Sequence, residues 1–157
     1  MLDVLQEIRG HRLTAAIVGS VADGAAPYVT TMRARAEALG ATLHLDADPI
    51  TVAEILSASK LAFLPYEDGI SSRRGTALAA IANGTLVVTT PPRAAADDHF
   101  RDLCVLGENT EELARQVEAV LVSADSFEGM RAAAQAFARS QDWASIAERY
   151  RAILPSG

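Results

Sequence analysis

Short apolar runs alternate with amphipathic segments along most of the chain. Runs of apolar residues predict a buried strand at LTAAIV (13–18) and further strands at ATLHL (41–45), LAFLP (61–65) and TLVVTT (85–90). The run LCVL (103–106) predicts a short edge or last strand. The segments between them place apolar residues three and four positions apart, which is the spacing of one face of a helix. The pattern therefore predicts strands and helices in regular alternation.

The helical segments also show start and stop signals. Asp48 followed by Pro49 predicts a capped helix start, Asn109 predicts another, and Gly40 and Gly84 predict helix ends. The predicted inward faces are Ala25, Val29, Met32, Ala36 and Leu39; Val52, Ile55, Leu56 and Ser59; Leu113, Val117, Val120 and Leu121; Phe127, Met130, Ala134 and Phe137; and Trp143, Ile146, Ala147, Tyr150 and Leu154.

Alternation of this kind predicts an α/β fold. Strands that are apolar on both sides belong in a parallel sheet covered by helices on both faces, in a doubly wound, Rossmann-like arrangement. The sequence has 157 residues without repeats or a low-complexity linker, so we expect residues 1–157 to form a single domain.

Composition and charge narrow the class of protein. The net charge of −6 argues against a nucleic-acid partner, because binding to a phosphate backbone needs a basic surface. No apolar stretch is long enough for a membrane span, and the start MLDVLQEIRG lacks the layout of a signal peptide. We therefore expect a soluble, cytoplasmic protein.

Few residues have the spacing expected of a metal site or of a catalytic nucleophile with its base. Cys104 is the single cysteine and lies in an apolar run, so we expect a buried side chain, and no zinc site is expected from one thiol and three scattered histidines. His44 is expected inside a strand and His99 on a loop surface. Asp46 and Asp48 form a possible carboxylate pair, although helix capping explains Asp48.

The third strand is followed by the stretch YEDGISSRRGT, residues 66–76. In open parallel sheets, ligands bind beyond the carboxyl ends of the strands, and the loops after the first three strands are the candidates. A helix from about Ser71 to Asn83, capped by Ser71 or Ser72, would direct free N–H groups at this loop, where an anion binds. Arginine matches phosphate geometry bidentately, so Arg73 and Arg74 strengthen that hypothesis. The alternative is that both arginines are solvated or pair with Glu67 and Asp68.

The order of these segments resembles the C-terminal, donor-binding domain of a family 4 glycosyltransferase of GT-B architecture. The resemblance covers nearly the whole chain and depends on TAAIVGS, EALGATLHLDADP, VAEILSASKLAFLP and GTALAAIANGTLVVTT. It implies a nucleoside-diphosphate sugar as partner, no metal and no cofactor. The implied substrate-binding residues are Gly69, Ile70, Ser71, Ser72, Arg73, Arg74, Gly75 and Thr76; no catalytic residue is assigned.

This sequence departs from the family pattern in two ways. The two glutamates that the family carries across the helix start are replaced by Ser71 and Ala79. The chain also has one domain where the family has two, so an N-terminal acceptor-binding domain is a further implied partner, and we expect this chain alone to be inactive. The resulting hypothesis is the nucleotide-sugar-binding half of a glycosyltransferase. The alternative is a non-catalytic nucleotide-binding or protein-interaction module, and a receiver domain fits poorly because GSVADG lacks an acidic cluster.

Overall fold

The structure, a computed structural model, describes residues 14–141. In chain order the elements are β1 (Ala16–Gly19), α1 (Ala26–Ala38), β2 (Thr42–Leu45), α2 (Pro49–Ala58), β3 (Leu61–Leu64), α3 (Gly75–Ala82), β4 (Leu86–Thr89), a 3-10 helix (Ala95–Arg101), β5 (Val105–Leu106), α4 (Thr110–Val122), a second 3-10 helix (Ala124–Phe127) and α5 (Glu128–Ser140). The predicted closing helix around Trp143 and the start MLDVLQEIRG lie outside the described residues.

All strand pairs are parallel, and helices flank the strands, so the predicted α/β, Rossmann-like fold class is confirmed. The backbone hydrogen bonds form two ladders, β1–β2 and β3–β4–β5. No ladder joins β1 to β3 within residues 14–141, which differs from the single sheet that the alternation predicted.

The three-stranded ladder has a core on each face. Strand β4 is fully buried, and its side chains alternate between the two faces because successive residues of a strand point in opposite directions. Leu86 and Val88 pack with α4 residues such as Val117, whereas Val87 packs with α3 residues such as Ile81. Helices therefore cover both faces here, as the apolar run predicted.

The β1–β2 ladder is less covered. The run LTAAIV was predicted as a buried strand, but Ala16, Val18 and Gly19 of β1 are exposed. This prediction is wrong: among residues 14–141, β1 pairs with β2 alone, and neither core cluster includes a β1 side chain. Strand side chains point to the two faces of the sheet, so they stay exposed where no core covers those faces.

The predicted helix faces agree well with the burial of the described residues. In α1 the half-buried or buried positions are Val29, Met32 and Ala36, and Ala25 and Leu39 flank them at the helix ends. The four positions predicted for α4 are buried or half-buried, as are those predicted for α5 and the residue before it. Asp48 caps α2 through its carboxylate, and Asn109 caps α4 by accepting from the Glu112 N–H at 2.9 Å.

Candidate functional site

The carboxyl ends of β3, β4 and β5 meet at one edge, and two loops there are tied together. We call residues 65–74 the third loop and residues 90–94 the fourth loop. The Thr90 hydroxyl accepts from the Tyr66 N–H at 3.1 Å and donates to the Tyr66 carbonyl at 2.5 Å. The Ile70 N–H donates to the Thr90 carbonyl, and Arg93 Nη2 donates to the Glu67 carbonyl at 2.6 Å. The two loops therefore form one rigid rim.

Gly69 makes the close approach of the two loops possible. Its φ is +81°, in the left-handed region, and a Cβ at this position would overlap the carbonyl oxygen of Pro91. An L-residue is disfavoured in this conformation, and the backbone contact leaves no space for its side chain. Glycine is therefore the residue that this turn of the third loop requires.

The helix after the third loop begins later than the sequence pattern indicated. Helix α3 starts at Gly75 rather than near Ser71, and its N-cap is Arg74, with no side-chain cap. Neither serine caps the helix. The Ser71 carbonyl instead accepts from the Arg74 N–H at 2.9 Å, which forms a separate turn before the helix. The local signal failed because Ser72 has a stronger partner elsewhere in the fold.

That partner is Asp97, in the 3-10 helix after β4. The Ser72 N–H and hydroxyl both donate to Asp97 Oδ1, at 2.8 and 2.7 Å. The Ser72 hydroxyl lowers the pKa of Asp97 most, followed by the Ser72 N–H, and the charges of His99 and Arg73 lower it further. Ser72 and Asp97 thus fasten the end of the third loop to the segment after β4.

The two arginines have different surroundings. Arg73 is exposed. Arg74 pairs through Nη2 with Asp68 Oδ1, and its guanidinium carbon lies 4.6 Å from the centroid of the Tyr66 ring. The alternative that these arginines pair with neighbouring carboxylates is therefore confirmed for Arg74 and Asp68. The contact with the Tyr66 ring also holds the Arg74 guanidinium at the surface of the third loop.

A pocket of about 530 Å³ lies at this edge of the sheet. Its lining residues come from the third loop, the fourth loop, the 3-10 helix and the start of α4: Pro65, Tyr66, Glu67, Gly69, Thr90, Pro91, Pro92, Arg93, Arg101, Glu108, Asn109, Thr110 and Leu113. Its volume is within the usual range for small-molecule sites. Of the eight substrate-binding residues implied by the resemblance, Gly69 lines the pocket.

The other seven are not among the lining residues. Ile70 is buried in the core beneath the rim, and Ser72 is held by Asp97. Thr76 reaches the rim through its hydroxyl, which lies 2.6 Å from the Tyr66 hydroxyl. Gly75 is exposed and has open space where a Cβ would lie. Gly69 and the contact between the Tyr66 and Thr76 hydroxyls therefore connect the predicted segment to the pocket, whereas Ser71, Arg73 and Arg74 are not among its lining residues.

Sequence reasoning missed the residues that follow β4 and β5. Arg93 donates to the Glu67 carbonyl, and Arg101 donates from Nε to Asp98 at 3.1 Å and from Nη2 to the Pro92 carbonyl at 3.4 Å. A signal for them was present, because the carboxyl ends of all parallel strands share one edge. Applying that rule to the loops after the fourth and fifth strands would have included PPR and GENT.

The remaining chemical candidates have structural explanations. Cys104 is 1% exposed, and burial raises the pKa of its thiol to about 12. His99 was expected on a loop surface, which is wrong, because it lies in the 3-10 helix Ala95–Arg101. The centroid of its ring is 4.4 Å from that of Phe100 and 4.8 Å from that of Phe137. Packing between rings explains why Nε2 is buried, without a hydrogen-bond partner among the described residues.

The acidic residues after β2 do not act as a pair. Asp48 caps α2, and Asp46 Oδ1 accepts from the Val21 N–H at 2.9 Å. His44 lies inside β2 as predicted. Within residues 14–141, no three histidine, cysteine, aspartate or glutamate side chains lie together in a way that could hold a metal ion. The helices of this part of the chain include none long and apolar enough to cross a membrane.

The fold and its edge pocket define a Rossmann-like α/β domain with a ligand-sized site at the carboxyl ends of its strands. Among solved structures, the chain is similar to WaaG, a glycosyltransferase involved in lipopolysaccharide biosynthesis, with a TM-score of 0.64 and 21% sequence identity. The match covers 99% of this chain and 42% of the WaaG chain. At that identity the likeness establishes a shared fold. No protein-family model and no curated protein matches the sequence.

Proposed function

We propose that this chain is the nucleotide-sugar-binding half of a glycosyltransferase. The observation that carries the proposal is the similarity in fold, which extends over 99% of this chain but 42% of a glycosyltransferase chain. The position of the pocket supports it, because ligands of open parallel sheets bind beyond the carboxyl ends of the strands. The other half of the enzyme would be an N-terminal domain that binds the acceptor.

The proposed donor site combines the segment Gly69–Thr76 with the adjacent pocket. The diphosphate would lie at the third loop, where Arg73 and Arg74 supply positive charge and bidentate donors. The rest of the donor would occupy the pocket behind Tyr66. The guanidinium groups of Arg93 and Arg101 add positive charge to its lining, next to the carboxylates of Glu67 and Glu108.

In this proposal the chain contributes electrostatic stabilisation rather than a nucleophile or a base. Negative charge develops on the diphosphate as it leaves the anomeric carbon, and oriented arginines stabilise that charge. The loss of one such donor costs about 2–4 kcal/mol in the transition state. The rigid rim matters here, because a preorganised donor does not have to be reoriented at the moment of reaction.

A second candidate function is a nucleotide-binding module without turnover. The observation that favours it is the pair Ser71 and Ala79, which stand where the resemblance implies two glutamates. Ala79 is exposed on α3, so it presents a methyl group where a carboxylate would hold a ribose. Binding without transfer, measured in the presence of an acceptor-binding half, would distinguish this candidate from the enzyme.

Calorimetric titration of the 157-residue chain with a panel of nucleotides and nucleotide-sugars tests the proposal. We expect a dissociation constant below about 1 mM for at least one nucleotide-sugar, and a loss of about tenfold in Arg74→Ala and in Arg93→Ala. Arg115→Ala is the matched control, because Arg115 is an exposed arginine paired with Glu111 on α4 at 2.8 Å. Absence of binding across the panel would refute the proposal.

A bulky substitution tests the pocket separately from the arginines. Thr110 lies at the first position of α4, is exposed and lines the pocket, so Thr110→Trp should fill part of it without disturbing the core. We expect nucleotide-sugar binding to weaken at least about tenfold, while inorganic pyrophosphate, which needs only the third loop, binds as before. Unchanged nucleotide-sugar affinity would place the ligand elsewhere.

A further inference from the structure

Arg74 is held in place by the fold independently of Asp68. The Tyr66 ring lies under its guanidinium, 4.6 Å from ring centroid to guanidinium carbon. That ring is fixed at both ends, since its hydroxyl lies 2.6 Å from the Thr76 hydroxyl and its backbone is hydrogen-bonded to Thr90. The position of the guanidinium is therefore set by an aromatic platform, and the carboxylate is an additional partner.

Asp68 occupies the solvent side of this arrangement. Its side chain is 71% exposed, compared with 33% for Arg74, and it lies in the turn just before Gly69. An ion pair this exposed is weak, because water solvates the carboxylate almost as well when the pair opens. Two oxygens of a phosphate can accept the same pair of hydrogen bonds from arginine that a carboxylate accepts, and the phosphate carries more negative charge.

We propose that the Asp68 carboxylate competes with the anionic group of the ligand for the Arg74 guanidinium. In the empty protein its carboxylate occupies the Arg74 guanidinium, and an incoming phosphate or diphosphate displaces it, so that Asp68 sets the affinity of the site. The inference rests on the proposed function, which assigns Arg74 to ligand binding. Asp68 acts through Arg74 and is a positioning residue, without contact to the ligand.

Asp97, another carboxylate near this loop, has a different role. Asp97 accepts two hydrogen bonds from Ser72 and holds the loop to the 3-10 helix. The structure shows no contact between Asp97 and Arg74. Among the described residues, Asp68 is the carboxylate paired with Arg74, and its role is separable from that of Asp97 by mutation.

Titration with inorganic pyrophosphate at low and high salt tests this inference. Asp68→Asn should tighten pyrophosphate binding about three- to fivefold at low salt, and the gain should shrink at high salt, as for an exposed ion pair. Asp68→Glu, which keeps the charge, should retain the affinity of the unchanged protein. In an Arg74→Ala background, Asp68→Asn should raise pyrophosphate affinity no more than the control variant Glu128→Gln does.

The matched control is Glu128→Gln, which removes the same charge from the Arg131–Glu128 pair at the start of α5, where the glutamate side chain is 60% exposed and the arginine 25% exposed. The inference is overturned if Asp68→Asn gains no more than Glu128→Gln, or if its gain persists without Arg74. A gain in pyrophosphate affinity together with no nucleotide-sugar binding across the panel would support the role of Asp68 and refute the donor-binding function. Thermal unfolding of each variant shows whether its fold is retained.

Discussion

The hydroxyl groups of Tyr66 and Thr76 lie 2.6 Å apart and join the end of β3 to the first turn of α3. We expect Tyr66→Phe and Thr76→Val each to lower the free energy of unfolding by about 0.5–1 kcal/mol, because each removes one partner of an exposed hydrogen bond. In the double variant the two losses should not add, which urea unfolding measures. Additive losses would mean that the two hydroxyls do not interact.

Gly69 is required by the backbone of the site rim. We expect Gly69→Ala to lower the free energy of unfolding by more than about 2 kcal/mol, since it combines a left-handed φ with overlap on the Pro91 carbonyl. Gly75→Ala is the control, because Gly75 has open space at its Cβ position; we expect no loss, or a gain of up to about 1 kcal/mol in a helical position. Equal effects at the two glycines, in chemical denaturation, would contradict the account.

The contact between Ser72 and Asp97 predicts a specific dependence of stability on pH. The folded-state pKa of Asp97 lies below its usual value of 3.8, so its carboxylate stabilises the fold above that value. This contribution is lost as pH falls through the folded-state pKa, because the protonated group accepts from Ser72 less strongly. The difference in unfolding free energy between the unchanged protein and Asp97→Asn should therefore be constant near neutral pH and shrink below about pH 4.

Ser72→Ala provides the control for this pH effect. In the Asp97→Asn background the serine substitution should no longer change the pH dependence, because its charged partner is absent. Urea unfolding between acidic and neutral pH measures both variants. If Asp97→Asn shows the same pH dependence as the unchanged protein, the carboxylate is not stabilised by Ser72.

The Cys104 thiol should be unreactive towards alkylating reagents in the folded protein. Its side chain is 1% exposed and burial raises the pKa of the thiol to about 12, so almost no thiolate is present at neutral pH. We expect alkylation by iodoacetamide to proceed only as fast as the protein unfolds, and to become fast in denaturant. Rapid labelling of the folded chain at neutral pH would show that Cys104 is accessible.

Local patterns identified the elements but not all of their boundaries. The inward faces of α1, α4 and α5 follow from residues three and four apart, because the period of a helix is fixed by its backbone. The caps at Asp48 and Asn109 are equally local and were predicted. The start of α3 was placed four residues too early, since Ser72 bonds to Asp97, which is 25 residues away.

The candidate site could be located only in part from the sequence. The stretch after β3 stood out through its glycine and its paired arginines, and the structure places it at the rim of the pocket. The fourth loop and the start of α4 were not anticipated as lining, because PPR and GENT are ordinary loop sequences until the sheet places them beside the third loop. The surroundings of His99 were missed likewise, since Phe137 comes from a different helix.

The sequence by itself determined the alternation of strands and helices, the inward faces of the helices, two helix caps and the chemical character of the third loop. These depend on backbone periodicity and on contacts within a few residues. Only the tertiary structure decided which partner each polar group has: Asp68 rather than an open anion site faces Arg74, and Asp97 rather than the helix end receives Ser72. Hydrogen bonds and ion pairs act over a few ångströms, so they depend on distances in space that separation along the chain does not fix.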